Sequence, residues 1–205
     1  LQSEETIRQV ADSIREQLRL APTDRLLDVG CGPAIYAKRL APYAASVSGT
    51  DPVASMVEMA RAEMPEGHFQ VTDAAHLPFE DNSFDKILCY SVFQYFSDQN
   101  YAAAAVREMI RVCAPGGRIL IGDVQDVSLR HLYDHPARKD YDRPAAGRLM
   151  KKLLDLVTNT GFEGWYEREF FRRIAGEGGH ACEFLEQPRV KANTLWRINV
   201  AIDKK

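Results

Sequence analysis

Four aspartates in this chain each close a short, largely apolar run: Asp28 in "RLLD", Asp51 in "SVSGTD", Asp73 in "HFQVTD" and Asp123 in "RILIGD". Behind the first of them come Gly30 and Gly32, in "LLDVGCGPAIYA". Two glycines let a backbone come close to a ligand, and the start of the helix behind them presents unused N–H groups. Carboxylates beside such a turn accept hydrogen bonds from hydroxyls and amines. Asp51, about twenty residues beyond the turn, suits the two hydroxyls of a ribose. Asp73 adds an acceptor where the amino group of an adenine would lie, and Asp28 can meet an ammonium through water or hold the turn. A pyrophosphate is a poor match, because the last glycine of G-x-G-x-x-G is absent and Pro33 removes an N–H. The negative rim suits a nucleoside that carries an ammonium and a positive centre but no phosphate.

Other groups able to move a proton lie further along. Asp123, His131 and Tyr166 are candidates for a general base near an acceptor proton. His131 and His135 are spaced i, i+4, but Pro136 stops a helix there and the nearby acids show no ligand spacing. No metal site is expected, and a solvated lid is the plainer reading of both. Ser91 lacks a G-x-S-x-G elbow and is not read as a nucleophile. His76 precedes "LPF" and reads as structural, and His68 and His180 as structural or solvated. Cys31, Cys89, Cys113 and Cys182 form no C-x-x-C pair and read as reduced core residues.

The elements that must position these groups alternate. Apolar residues Ile7, Val10, Ala11, Ile14 and Leu18 recur at helical spacing between Ser3, a fitting N-cap, and Pro22. Then follow a strand over "RLLDVG", a helix over Ile35–Leu40, a strand over "AASVSGTD", a helix beginning at Pro52, and a strand over "HFQVTD". "SFDKILCYSVF" gives a fourth strand, "QNYAAAAVREMIRVC" a helix closed by "APGG", and "RILIGDV" a fifth strand. Strict alternation implies right-handed crossovers and a parallel, doubly wound sheet, whose strand ends face the ligand crevice. Beyond Asp123 the pattern loosens. "RLMKKLLDLVTNTGF" reads as an amphipathic helix, "GWYEREFFRRIAGEGGH" as a turn and helix, and "ACEFLEQP" with "TLWRINVAI" as an antiparallel closing pair. The expected fold is α/β and Rossmann-like: a mostly parallel seven-stranded sheet with antiparallel pairing at its C-terminal end.

The 205 residues, 45% hydrophobic, suffice for one such domain. Its parts read as an N-terminal helix (1–20), a ligand-binding core (25–123), a variable segment (124–166) and a closing helix and strand pair (167–205). Net charge is −3 with signs mixed along the chain, so no basic stripe suggests nucleic acid. No apolar run is long enough to span a bilayer and the polar N-terminus is not signal-like, so a cytoplasmic protein without membrane insertion is expected. Since the chain does not begin with Met, it reads as truncated there. Oligomeric state is not readable.

As a set, "LLDVGCGPA", "VSGTDPVASMVEMARA", "VTDAAHLPFEDNSFDKILCYSVFQYF" and "EMIRVCAPGGRILIGD" resemble the class I S-adenosylmethionine-dependent methyltransferases, and within them the type 11 small-molecule group. The resemblance covers 25–123. It implies S-adenosylmethionine as cofactor, with Asp28, Gly30, Cys31, Gly32 and Tyr36 along its methionine end. Ala34 stands where many members have a third glycine. Asp51 resembles the ribose-binding acid, Pro52 and Met56 the wall beside adenine, and Asp73 with Ala74 the pair that reads the adenine edge. Tyr90, Ser91, Gln94 and Tyr95 fall where donor and acceptor meet.

The implied reaction is in-line methyl transfer to an oxygen or nitrogen of a small-molecule acceptor, needing alignment and dryness rather than a covalent enzyme intermediate. Arg130, Arg138, Lys139 and Arg143, among Tyr133, Tyr141, Trp165 and Tyr166, read either as a pocket for an anionic ring-bearing acceptor, such as a nucleotide-linked sugar, or as a solvated lid. The alternative is a binding subunit that keeps the cofactor without turnover. A nicotinamide enzyme is disfavoured by Pro33 and Ala34. Asp51→Ala is expected to remove cofactor binding and spare the fold.

Overall fold

The computed structural model describes residues 3–133, 164–188 and 195–205. Helix α1 (Glu4–Leu18) begins where the Ser3 hydroxyl accepts from the Thr6 N–H, and ends as Arg19 turns left-handed (φ 53°). Its stripe of Val10, Ala11, Ile14 and Leu18 is buried, as the spacing predicts. Strand β1 (Arg25–Val29), α2 (Ile35–Leu40), β2 (Ser46–Asp51), α3 (Ala54–Glu63), β3 (His68–Val71), β4 (Phe84–Tyr90), α4 (Gln99–Val112) and β5 (Cys113–Asp126) then alternate. Helix α3 starts two residues later than Pro52 suggests, since Val53 is still extended and serves as its N-cap. Strand β4 stops at Tyr90 because Ser91 adopts a left-handed conformation (φ 62°). A short α5 (Arg130–Tyr133), a two-residue β6 (Trp165–Tyr166), α6 (Arg168–Glu177), β7 (Ala181–Glu186) and β8 (Arg197–Asp203) complete the described chain.

The sheet runs β3-β2-β1-β4-β5-β8-β7, seven strands on one path as expected, and β6 adds an eighth by pairing alongside the end of β5. Strands β1 to β5 are parallel, β8 is antiparallel to β5, and β7 antiparallel to β8. The path steps outward from β1 through β2 to β3, then resumes at β4 on the other side of β1. Ligands of open α/β sheets bind at such a reversal, beyond the carboxyl ends of the strands.

Successive residues of the central strands serve opposite faces. Leu27, Ile87 and Ile119 join a core under α4 and α6 with Val106, Met109, Phe171 and Ile174. Leu26, Leu88 and Leu120 join a second core under α1, α2 and α3 with Ile14, Leu18, Leu40 and Val57. This is the pattern of a sheet covered on both sides. Arg118 is buried within this framework and fastened to Asp203 of β8, Glu183 of β7 and the Gln17 carbonyl of α1, tying the antiparallel edge to the first helix. Helix α4 fastens the loop before β4. The Glu108 carboxylate accepts from the Leu77 N–H (3.0 Å), and Arg111 donates to the carbonyls of Leu77 and Phe79. That explains why "EMIRV" accompanies "LPFEDNSFD" in one sequence.

Candidate active site

At the β1/β4 reversal the turn after β1 is stitched to the end of β2. The N–H groups of Gly30 and Cys31 both donate to the Thr50 carbonyl, at 2.7 and 2.9 Å. The Gly32 N–H donates to Asp51 Oδ2 at 2.9 Å, and Asp51 Oδ1 accepts from the Val53 N–H at 2.9 Å. Gly30 has no substitute: φ is +74°, and a Cβ would stand 2.5 Å from Val92 Cγ2. Gly32 is also left-handed (φ +51°), but a Cβ there would meet no atom within 4 Å, so bare backbone faces open space. Ala34, buried, is left-handed too (φ 59°). That is the physical reason for glycine at the position where the family resemblance places one.

Asp28 is 4% exposed, and no described side chain or backbone N–H hydrogen-bonds its carboxylate. Burial, reinforced by the charge of Asp51, pushes its pKa up to about 7. A buried carboxylate with no donor, next to a stretch of bare backbone, is a complementary place for an ammonium. Tyr36 packs edge-on against Tyr90 (centroids 5.1 Å apart), and burial, with the charges of Asp123 and Asp28, moves its phenol up to about 12. Both rings therefore stay neutral and form an apolar wall. Cys31 lies in the buried part of the turn, where burial pushes its thiol well up. Pro52 is exposed and Met56 half-buried at the start of α3. Asp73 and the buried Ala74 follow β3.

One strained residue follows the end of β4 and another lies within β5. Asp123, like Ser91, is left-handed (φ 64°), at the place where the β5–β8 register slips between Ile121 and Val124. Bulges of this kind re-aim a side chain. The Ser91 hydroxyl donates to Asp123 Oδ2 at 2.5 Å, and Arg197 Nη1 stands 2.9 Å from the same oxygen. Arg197 also donates to Gln94 Oε1 (2.8 Å), and Gln94 Nε2 to the Ser91 main-chain carbonyl (3.2 Å), which closes a ring of four residues. From β8, the Asn199 side chain accepts from the Asp123 N–H at 3.0 Å. These contacts hold both strained residues in place.

Among the candidate bases, Asp123 joins this ring and keeps Oδ1 without a described partner. His131 lies exposed in α5, Nδ1 3.2 Å from the Ser128 carbonyl. Tyr166 does not join the site. Its side chain is 1% exposed, packed against Phe93, Phe170 and Phe171, and its hydroxyl donates to the Phe93 carbonyl. Tyr95 is exposed. His135, Arg138, Lys139, Tyr141 and Arg143 lie outside the described residues, as does the helix expected over 148–162. Among the described residues no cluster of His, Cys, Asp and Glu could hold a metal, and none of the helices is long and apolar enough to cross a membrane. The cysteines are all free, and Cys31, Cys89 and Cys113 are buried.

Sequence reasoning missed Arg197, Asn199 and Tyr101. The first two occupy alternate positions of "RINVAI", where a one-sided strand would turn polar residues to water; here both are buried. Polar residues in a strand hidden on both faces are the available signal. Asp51 differs from expectation, because its oxygens hold two backbone N–H groups, so Asp51→Ala would loosen the turn as well as remove an acceptor.

The fold is the one shared with solved Rossmann-like methyltransferases, and the glycine turn and strand-end acids stand at its sheet reversal. Residues 27–121, a little under half of the chain, match the family described as a methyltransferase domain, a family that uses S-adenosylmethionine. The O-methyltransferase cnsE of Penicillium expansum is 35% identical over 144 residues, 65% of this chain and 49% of that one. A probable tRNA methyltransferase 9B of Bos taurus is 36% identical over 100 residues, 49% of this chain and 21% of its own. The chain thus spans half or less of the length of these curated relatives. Magnesium protoporphyrin IX methyltransferase from Synechocystis, solved with bound SAM, superposes with a TM-score of 0.65 at 16% identity, over 98% of this chain and 81% of that one. Since the relatives' names point to different acceptors, these likenesses leave the acceptor open.

Proposed function

We propose that this chain transfers the methyl group of S-adenosylmethionine to an oxygen or nitrogen of a small-molecule acceptor. The observation that carries the reading is the pairing of Asp28, buried and with no hydrogen-bond donor among the described residues, with the bare backbone of Gly32. A cationic amino-acid end next to closely approached backbone satisfies both. Asp51 would take the ribose hydroxyls with the lone pairs its backbone partners leave over, and Asp73 the adenine edge. When bound, the cofactor supplies an electrophilic methyl group, so no protein nucleophile is needed.

The chain's own residues align and exclude. Tyr36 and Tyr90 keep water from one side of the crevice. The Ser91–Gln94–Arg197–Asp123 ring would fix the crevice floor between the end of β4 and the bulge in β5, and Asp123 Oδ1 would accept a hydrogen bond from an acceptor O–H or N–H. Alignment of this kind lowers a barrier without chemistry by the enzyme. An oxygen acceptor is favoured by the relative named as an O-methyltransferase. A nucleotide-linked sugar stays one candidate acceptor within this reading, and Arg138, Lys139 and Arg143, which would meet its phosphates, lie outside the described residues.

Calorimetric titration with S-adenosylmethionine, S-adenosylhomocysteine and NAD in parallel tests the cofactor. Binding of the first two alone is expected, and binding of NAD alone would overturn it. Methyl-labelled cofactor offered with hydroxyl, amine and carboxylate acceptors and with bulk tRNA then tests the reaction. Label on tRNA alone would refute the small-molecule reading, and cofactor binding without transfer to any acceptor would favour a binding subunit.

A further inference from the structure

Asp73 is held from three directions. Its Oδ1 accepts from the Ala75 N–H (2.8 Å) and from the Tyr101 hydroxyl (3.1 Å), and lies 3.0 Å from His76 Nδ1. Among the described residues, Oδ2 has only that same Nδ1, also at 3.0 Å. A carboxylate otherwise swings broadly about its last torsion. The backbone N–H anchors one oxygen; Tyr101 and His76, reaching in from a different helix and from the same loop, fix the plane. Burial opposes the charge, but the hydrogen bonds from His76, Ala75 and Tyr101 together outweigh it and hold the carboxyl below its ordinary range.

Tyr101 is itself rigid. Its ring packs edge-on against Phe96, 5.0 Å between centroids, and its N–H is capped by Asp98 at 2.9 Å. Helix α4, which carries it, is bolted to the loop after Asp73 through Glu108 and Arg111. The Asp73 side chain nonetheless remains 40% exposed, so Oδ2 can take a donor from outside.

We infer that Tyr101 and His76 are positioning residues that set the plane of Asp73, so that its Oδ2 accepts the 6-amino group of adenine and selects an adenine cofactor over other purines. The inference rests on the cofactor reading above and assigns roles to two residues outside the matched cofactor motifs.

The test is a titration of the full chain and of Tyr101→Phe and His76→Ala with two ligands. One is S-adenosylhomocysteine, and the other its purine-riboside analogue, in which hydrogen replaces the 6-amino group. Tyr101→Phe keeps the ring packing, and His76 is 79% exposed, so neither change threatens the fold. The wild type is expected to prefer the amino ligand about tenfold, one charge-assisted hydrogen bond. Each variant should lose about threefold on S-adenosylhomocysteine and little on the analogue, narrowing the preference. Equal losses on both ligands, or an unchanged preference, would overturn the positioning roles. Equal wild-type affinity for both ligands would remove adenine selection by Asp73 while the cofactor reading stands. Binding of neither would overturn both.

Discussion

Cofactor affinity should depend on pH through a single buried carboxylate. Asp28 is pushed up to about 7 by burial and by the neighbouring charge of Asp51, and an ammonium partner requires its ionised form. The fraction ionised is about 3% at pH 5.5 and about half at pH 7.0, so apparent affinity should rise ~16-fold over that window. The ligand's own α-amino group, with an ordinary value of about 7.7–8.0, stays charged throughout it. Asp28→Asn keeps the shape, should bind more weakly, and should lose the pH slope. The same shift has a stability consequence of opposite sign. Because the folded-state value is raised, the folded protein binds the extra proton between the ordinary value of 3.8 and about 7, and its stability falls as pH rises through that window. Ionising Asp28 costs the unliganded fold up to roughly 4 kcal/mol above pH 7. Asp28→Asn should therefore raise the urea midpoint at pH 8 while weakening binding, a combination that a damaged fold cannot produce. Calorimetry at four pH values with both proteins, and urea titration at pH 5 and 8, decide the matter. Wild-type affinity flat between pH 5.5 and 7.0, or the same slope in the Asn variant, would refute it.

Gly30→Ala must fit a Cβ 2.5 Å from Val92 Cγ2 at φ +74°, and should destabilise by about 2 kcal/mol or more in urea unfolding. Gly32→Ala meets open space instead, so it should cost only about 1 kcal/mol of stability while weakening cofactor binding more than tenfold; equal effects of the two substitutions on binding and stability would contradict the cradle. Arg197→Met leaves the Asp123 carboxylate buried without its charge partner, and should lose about 3–5 kcal/mol in the same unfolding assay. Burial moves the thiols of Cys113 and Cys182 up to about 12 and 11, and those of Cys31 and Cys89 well up, so none should react with iodoacetamide at pH 8 until the chain is unfolded.

Much of this molecule is readable from local chemistry. The spacing of apolar residues in "EETIRQVADSIREQL" dictates a one-sided helix, and its buried stripe is the one observed. The repeated strand-turn-helix pattern implies parallel crossovers, and "LLDVGCGPA" identifies a ligand turn because glycine and carboxylate are chemically unusual together there. Asp28, Gly30, Gly32 and Asp51 are legible for that reason, and they do meet at the β1/β4 reversal.

What local chemistry does not contain is the partner of each group. Tyr166 looks like any exposed phenol until β6 and α6 bury it under Phe93. Asp123 looks like a free base until β8, folding back antiparallel from the far end of the chain, brings Arg197 and Asn199 to it. Tyr101 is one apolar position of an alanine-rich helix until α4 docks and lays its hydroxyl on Asp73. Residue type and periodicity decide which segments form and which atoms could react. Contacts between residues tens of positions apart, made only when the sheet closes in its own strand order, decide which of those atoms are already satisfied and which are left to meet a ligand.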